Sequence, residues 1–547
     1  MKFSKIFLSI SISLVMIIIP SCTKKISSPN EQTIYYRITD EPVTLDPQIA
    51  NDASSRLIIM NIFEGLVKLD DKNEPVKGAA DSWKMNGMEY EFHIRDGAKW
   101  SDGSPLTAND FLYGFQRAFM PLTDSQTAQT LFCIKNSEKI KKGQLDMSYL
   151  GVYAEDEHTL KIQLDYQDPQ FLSLLATPPA MPCKKDFFES TAGQYGLEYD
   201  KIVSNGAFCV SRYGWEHEKY IRLSRNDNYK GENSVIPRNV NIDISDSPED
   251  VCSAVANKEI DCYSMDITEL QQAKANKLNL TAFNDTVWGI CFNMQNEVLS
   301  KPDIRRSLLQ SLDRNYILRN LPEGCIPVED IVPETARADN MTYRSLVGRG
   351  MGIEFSENAK EYFKNAVAAL NYHEDEYYYW YYDYDEVEFP DIDILCTDEP
   401  SIQPVVNSII ETWNRLTGKY ANKTPVSREE LMDRISSGDY LIAISPLKPD
   451  GESPADTLKL FMSNSEANIS GVSDEAYDSL ISDILQKPDN TSINKMIQAE
   501  RYLNDNGIFY PLYTESRYYV SAENVKGIVF HPYGAEADFS SAEKIIK

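Results

Sequence analysis

The side chains able to do chemistry here are five histidines, nine cysteines and a large surplus of carboxylates. The histidines stand at positions 93, 158, 217, 373 and 531. They make no H-x-x-x-H or H-E-x-x-H spacing, so no local zinc site is encoded. No two cysteines make a C-x-x-C pair, which removes the zinc-ribbon and dithiol redox patterns. A covalent catalyst needs a nucleophile beside a base and an orienting group. The chain carries neither a G-x-S-x-G elbow nor a P-loop. Gly348 to Gly352 (GRGMG) has the glycines of a nucleotide loop without a strong strand before it, and reads as an ordinary loop. Chemistry on a substrate is therefore not expected, nor a metal or cofactor.

What remains is binding. The formal charge is −29, a surface that repels phosphate backbones, so nucleic acid is not an expected partner. At 547 residues the chain is too long for one hydrophobic core and calls for two or three domains.

Met1 to Cys22 is an address. Lys2 and Lys5 precede an apolar run from Ile6 to Ile19, shorter than the ~20 residues that span a bilayer and suited to a signal peptide. Ile19-Pro20-Ser21-Cys22 resembles a bacterial lipobox, whose cysteine is acylated and becomes the first mature residue; proline two before the cysteine departs from the usual small residue. Residues 23–32 make a polar tether, and several acyl chains on Cys22 would hold the protein on a membrane face. The other eight cysteines are left as thiols or disulfides.

The elements that must position a binding site are clearest between Ala80 and Phe119. Asn86-Gly87 is a hairpin turn signal, and Tyr90, Phe92 and Ile94 alternate with polar residues as in a half-buried strand. Thr107 precedes Asp110 in a capping-box pattern, and Phe111, Phe115 and Phe119 fall on one helical face. Ser54 to Leu69 reads as an amphipathic helix. Val203-Ser204-Asn205-Gly206-Ala207-Phe208 carries a second Asn-Gly turn. Val287 to Asn293 is an apolar strand and Pro302 to Leu318 a helix. Strand Ile392 to Cys396, helix Ile402 to Leu416 and strand Tyr440 to Ile444 alternate as in an α/β domain. The tyrosine-rich acidic segment 374–388 reads as a hairpin or loop peculiar to this chain.

The string from Trp83 to Arg117, with FHIRDGAKWSDGSPLTANDFLYGFQR at its centre, closely resembles the signature of the oligopeptide- and dipeptide-binding proteins that feed ABC importers. ITDEPVTLDP, IFEGLVKLD, VSNGAF and NKEID extend the resemblance, the last without the family's glycine. It implies an α/β, three-lobed periplasmic-binding-protein-like fold: two α/β lobes around a hinge and an extra peripheral domain. The implied segments are 33–60, 191–282 and 510–547 for the first domain, 61–190 for the second and 283–509 for the third. The implied function is capture of an oligopeptide by a monomeric, lipid-anchored, non-enzymatic protein facing the periplasm or cell exterior, with delivery to an ABC transporter permease. A peptide-sensing receptor without transport, a binder of another small solute and a structural lipoprotein are the alternatives.

The family anchors the ligand's terminal amine on an aspartate before a serine-asparagine-serine run. Counting back without a gap from Ser463-Asn464-Ser465 places Asp450 on that anchor. Leu447 stands where the family has tryptophan, and Asp450-Gly451 equally fits a plain turn. Trp288 and Asn293, on the crossing strand, are the further cleft candidates.

Overall fold

A computed structural model describes residues 32–166, 168, 170–265, 267–338, 341–350, 352–370, 388–449, 451–465, 467–486, 492–532 and 537–545. Three sheets organise them. The first has the order Thr33–Ile38, Asn239–Ile244, Tyr220–Arg225, Phe208–Glu216. Its outer strand Thr33–Ile38 lies parallel to Asn239–Ile244, so residues two hundred positions apart share one ladder. The second is an antiparallel meander of Ala80–Asn86, Glu89–Ile94, Thr159–Gln163 and Val152–Ala154. The third is seven-stranded and mixed, running Cys262–Met265, Phe509–Ser521, Asn279–Phe292, Ile442–Leu447, Asp393–Thr397, Asn422–Val426, with Cys325–Pro327 paired to Phe509–Ser521.

The hairpin turns one residue later than the sequence suggests. Asn86 pairs with Glu89, leaving Gly87-Met88 as the two-residue loop. Gly87 has φ +65°, and a positive φ at the first loop residue matches the right-handed twist of the flanking strands. The capping box forms: Thr107 N–H donates to the Asp110 carboxylate at 2.7 Å. Phe111, Phe115 and Phe119 are fully buried.

Two predicted helices are cut short. Ala53–Ile62 stops at Phe63, and Val67–Leu69 is a strand. The cause is tertiary: Asn205 accepts from Glu64 N–H at 3.1 Å and donates to Glu64 C=O at 2.8 Å. Gly206 N–H donates to Ile62 C=O at 2.7 Å, and a Cβ on Gly206 would come within 2.6 Å of Ile62 backbone. The two sequence landmarks are thus two halves of one joint. Pro302–Gln310 likewise ends before Arg314–Ile317, because Asp313 accepts the N–H groups of Asn315 and Tyr316 as a new cap.

The first two sheets share one continuous core, in which Ile34, Ile242, Phe92, Phe111 and Trp100 are all buried. The third sheet is covered on both faces. Along Asn279–Phe292 the side chains alternate, as a pleated strand requires. Trp288, Ile290 and Phe292 face helices Pro302–Gln310 and Gln403–Thr417, while Val287 and Cys291 face helices Glu475–Gln486 and Ser492–Asp505. Two strands join the cores. Asn279–Phe292 and Phe509–Ser521 pair over nearly their whole length, with Tyr519 and Val520 in the first core and Tyr510 and Tyr513 in the second. Where they cross, the register shifts between Phe283 and Thr286. In that bulge Arg517 donates to the fully buried Asp285 carboxylate at 2.8 Å, and Ser516 hydroxyl donates to Asn284 at 2.7 Å.

Candidate functional site: a cleft beside the crossing strands

A cleft of about 1440 Å³ opens between the shared core and the seven-stranded lobe. One wall comes from helix Ala53–Ile62, the Phe63-Glu64-Gly65 joint and the segments around Thr127 and Asp168. The opposite wall comes from Arg337, from Gly451 to Asp456 and from helix Ser492–Asp505.

Several ionisable groups lie on these walls. The Glu452 carboxyl is pushed up to about 7, first by burial, with the Arg337 cation pulling it back and Asp456 adding to the rise. Burial also raises Asp168, against the hydrogen bond it accepts from Gln170 N–H. Glu64 is raised by burial although the Tyr229 hydroxyl donates to it. His531 is held below its ordinary value by burial, with its Nδ1 2.7 Å from Asn73 Oδ1. Arg337 bridges the walls: its guanidinium is 3.5 Å from Glu74, its N–H donates to Glu452 C=O at 2.7 Å, and its C=O accepts from Gln170. Carboxyls whose burial resists ionisation, facing an open space, make a surface able to take a cation or a hydrogen-bond donor.

A second cavity, about 520 Å³, lies against the seven-stranded sheet. Trp288 is on its wall, buried, stacked 6.2 Å from Tyr513 and with the Arg428 guanidinium 5.2 Å from its ring. Arg428 is itself held by Glu399 and Glu515.

The proposed site residues are distributed as follows. Trp288 lines the smaller cavity. Asn293 lines neither; its amide donates to the carbonyls of Gly438 and Tyr440 at 3.0 and 2.9 Å, and its oxygen accepts from Gln295 N–H. Asp450 lies outside the described residues, as do Cys22 and positions 374–387. The residues flanking Asp450 are described: Leu447 and Lys448 line the smaller cavity and Gly451 to Ser453 the larger cleft. Sequence reasoning missed Glu452, Arg337 and Arg56. Only Arg56 left a trace, as the one charged residue in helix ASSRLIIMNI. Among the described residues no three His, Cys, Asp or Glu side chains converge as a metal site, and eight cysteines are free thiols. No helix of the described residues is long and apolar enough to cross a membrane.

Residues 74–468 match the bacterial extracellular solute-binding proteins, family 5 (middle region), and the chain belongs to that family. It is 27% identical to the oligopeptide-binding protein OppA of Bacillus subtilis over 95% of this chain and 94% of that one. A probable deoxycholate-binding periplasmic protein of Escherichia coli is 25% identical over 92% of this chain and 91% of its own. Among solved structures, the substrate-binding domain of an oligopeptide ABC transporter from Bacillus anthracis superposes with a TM-score of 0.64 at 26% identity, covering 94% of this chain and 99% of that one. The unliganded open form of the murein tripeptide-binding protein MppA gives 0.69 at 23% identity, over 94% and 98%. The fold is the mixed α/β, periplasmic-binding-protein-like fold of these proteins.

Proposed function

We propose that this protein binds oligopeptides in the large cleft, closes over them and hands them to the permease of an ABC importer. The observation that carries the reading is the cleft. At about 1440 Å³ it exceeds the ~300–1,000 Å³ of pockets for small molecules, and its walls belong to two cores between which the strand pair Asn279–Phe292 and Phe509–Ser521 runs. A ligand several residues long fits such a space. Closure would bury its backbone, whose N–H and C=O groups must then find partners; strand edges and polar side chains on the walls can supply them. The bulge at Asn284-Asp285 is the natural hinge, because a bulge weakens the ladder locally while Arg517 and Ser516 keep it tethered. Asp450 is proposed to take the ligand's ammonium, and Trp288 to floor a side-chain pocket. Residues 33–60, 191–282 and 510–547 form the first domain in this reading, 61–190 the second and 283–509 the third. Cys22 carries the lipid that keeps a monomer on the outer face of the cell membrane.

Native mass spectrometry of the chain purified from membranes tests both halves. The expected spectrum shows a chain beginning at an acylated Cys22, with retained peptides that leave on activation. A deoxycholate-sized sterol acid retained in place of peptide would overturn the ligand assignment, and an unprocessed or unlipidated amino terminus would overturn the anchor.

A further inference from the structure

Arg56 is placed where a cation does nothing for the fold. It lies in the first turn of helix Ala53–Ile62, the end at which the helix dipole opposes positive charge. It is half-buried on the cleft wall. Among the described residues its guanidinium makes one hydrogen bond, from Nη1 to Asn51 C=O at 3.1 Å. Its Nε is sealed from solvent with no acceptor, and among the described residues no carboxylate lies within ion-pair distance of it. Asp52, one turn earlier, uses its Oδ1 to cap the helix at Ser55 N–H and does not reach the guanidinium.

A second unpartnered donor sits nearby. The Thr127 hydroxyl is also buried without an acceptor, on the same cleft. The two are joined through two hydrogen bonds: Asn51, which accepts from Arg56, donates to Gln126 Oε1 at 2.8 Å, and Gln126 adjoins Thr127. Lys139 adds another cleft cation without an ion pair among the described residues. Neighbouring Glu138 is paired with Lys142 at 2.6 Å. This stretch of wall therefore presents guanidinium, hydroxyl and ammonium donors; Glu138 is already paired, and Asp52, whose second oxygen is buried without a donor, is the acid beside them. Elsewhere on the cleft, Asp168 and Glu452 present the opposite character.

We infer that Arg56, with the Thr127 hydroxyl, holds a carboxylate of the bound ligand. The inference rests on the peptide reading above and names the chemistry at one part of that cleft. A carboxylate there would meet the edge of the guanidinium and sit at the favourable end of the helix dipole, and closure over it would offer an acceptor to two donors that have none here. It comes from the peptide's chain end or from an acidic side chain.

Calorimetric titration of the full mature chain separates the outcomes. The probes are tri-, tetra- and pentaalanine as free acids and as amides, and the amides of Ala-Ala-Glu-Ala and Ala-Ala-Gln-Ala. Wild type should prefer the carboxylate member of one pair by roughly ten- to a hundredfold, the range of a charge-assisted contact. A preference in the oligoalanine pairs assigns the chain end, and one in the Glu/Gln pair assigns a side chain. In Arg56→Gln that preference should vanish while the uncharged member binds as in wild type; Thr127→Val should lower it in part. Peptide binding indifferent to carboxylates in wild type, or a preference intact in Arg56→Gln, overturns the assignment alone. A wild-type chain with no affinity for any of these peptides overturns the peptide reading and the assignment together.

Discussion

At Glu452 two effects oppose each other: burial favours the neutral acid and the nearby Arg337 cation favours the carboxylate, and burial wins, raising the group from 4.5 to about 7. The folded protein therefore holds this proton more tightly than the unfolded chain does. As pH climbs from about 4.5 to 7 the unfolded chain releases it first, and stability falls over that window. Glu452→Gln removes the dependence. Its stability should match wild type near pH 4.5 and exceed it by up to ~3 kcal/mol at pH 8, the ceiling set by a shift of this size. Denaturant titrations of both chains at the two pH values check the sign; a variant less stable at pH 8 would show that Glu452 is paired there. None of this was legible in the sequence, where Glu452 is one acid among many. The same holds for Arg337, whose partners Glu74 and Gln170 lie more than 160 positions away. Asn293, by contrast, stands out in sequence through its strand, and its amide donates to the backbone carbonyls of Gly438 and Tyr440.

The elements the sequence announced were those closed by near neighbours. The Thr107–Asp110 cap and the Gly87 hairpin need only a few residues, and both formed. Helix Ala53–Ile62 was overrun in sequence because its stop is set by Asn205, far along the chain. Long-range joints also hide the purpose of glycines. Gly114, in the middle of helix Ala108–Phe119, looks like a helix-weakening residue. In the fold a Cβ there would lie 2.3 Å from the Met181 carbonyl oxygen. Alanine gains up to ~1 kcal/mol of helix propensity but overpacks a backbone that cannot rotate away, at ~1–3 kcal/mol. Gly114→Ala should therefore lower stability by about 1–2 kcal/mol, read as a shift in denaturation midpoint. A gain in stability would mean that helix and Met181 segment separate freely.

For the molecule as a whole, the family string around Trp100 and Asp102 tells which architecture is built and little about what is bound. Its loop serves as mortar: Ser101 N–H donates to Ser204 C=O at 2.7 Å, and Asn228 donates to Ser101 C=O at 3.1 Å. Such contacts make the first two sheets one body. The seven-stranded lobe is attached to that body through the Asn279–Phe292 and Phe509–Ser521 pair, and the proposed closure of the cleft turns on that pair. The walls of the proposed binding cleft are assembled from at least five separated segments, so no short motif encodes them. Small-angle scattering of the mature chain, with and without a peptide mixture and with the peptides recovered afterwards, tests peptide capture by closure most directly. A smaller radius of gyration with peptide, together with peptides returned uncleaved, is the predicted result; an unchanged radius at saturating peptide, or cleaved peptide, would contradict it.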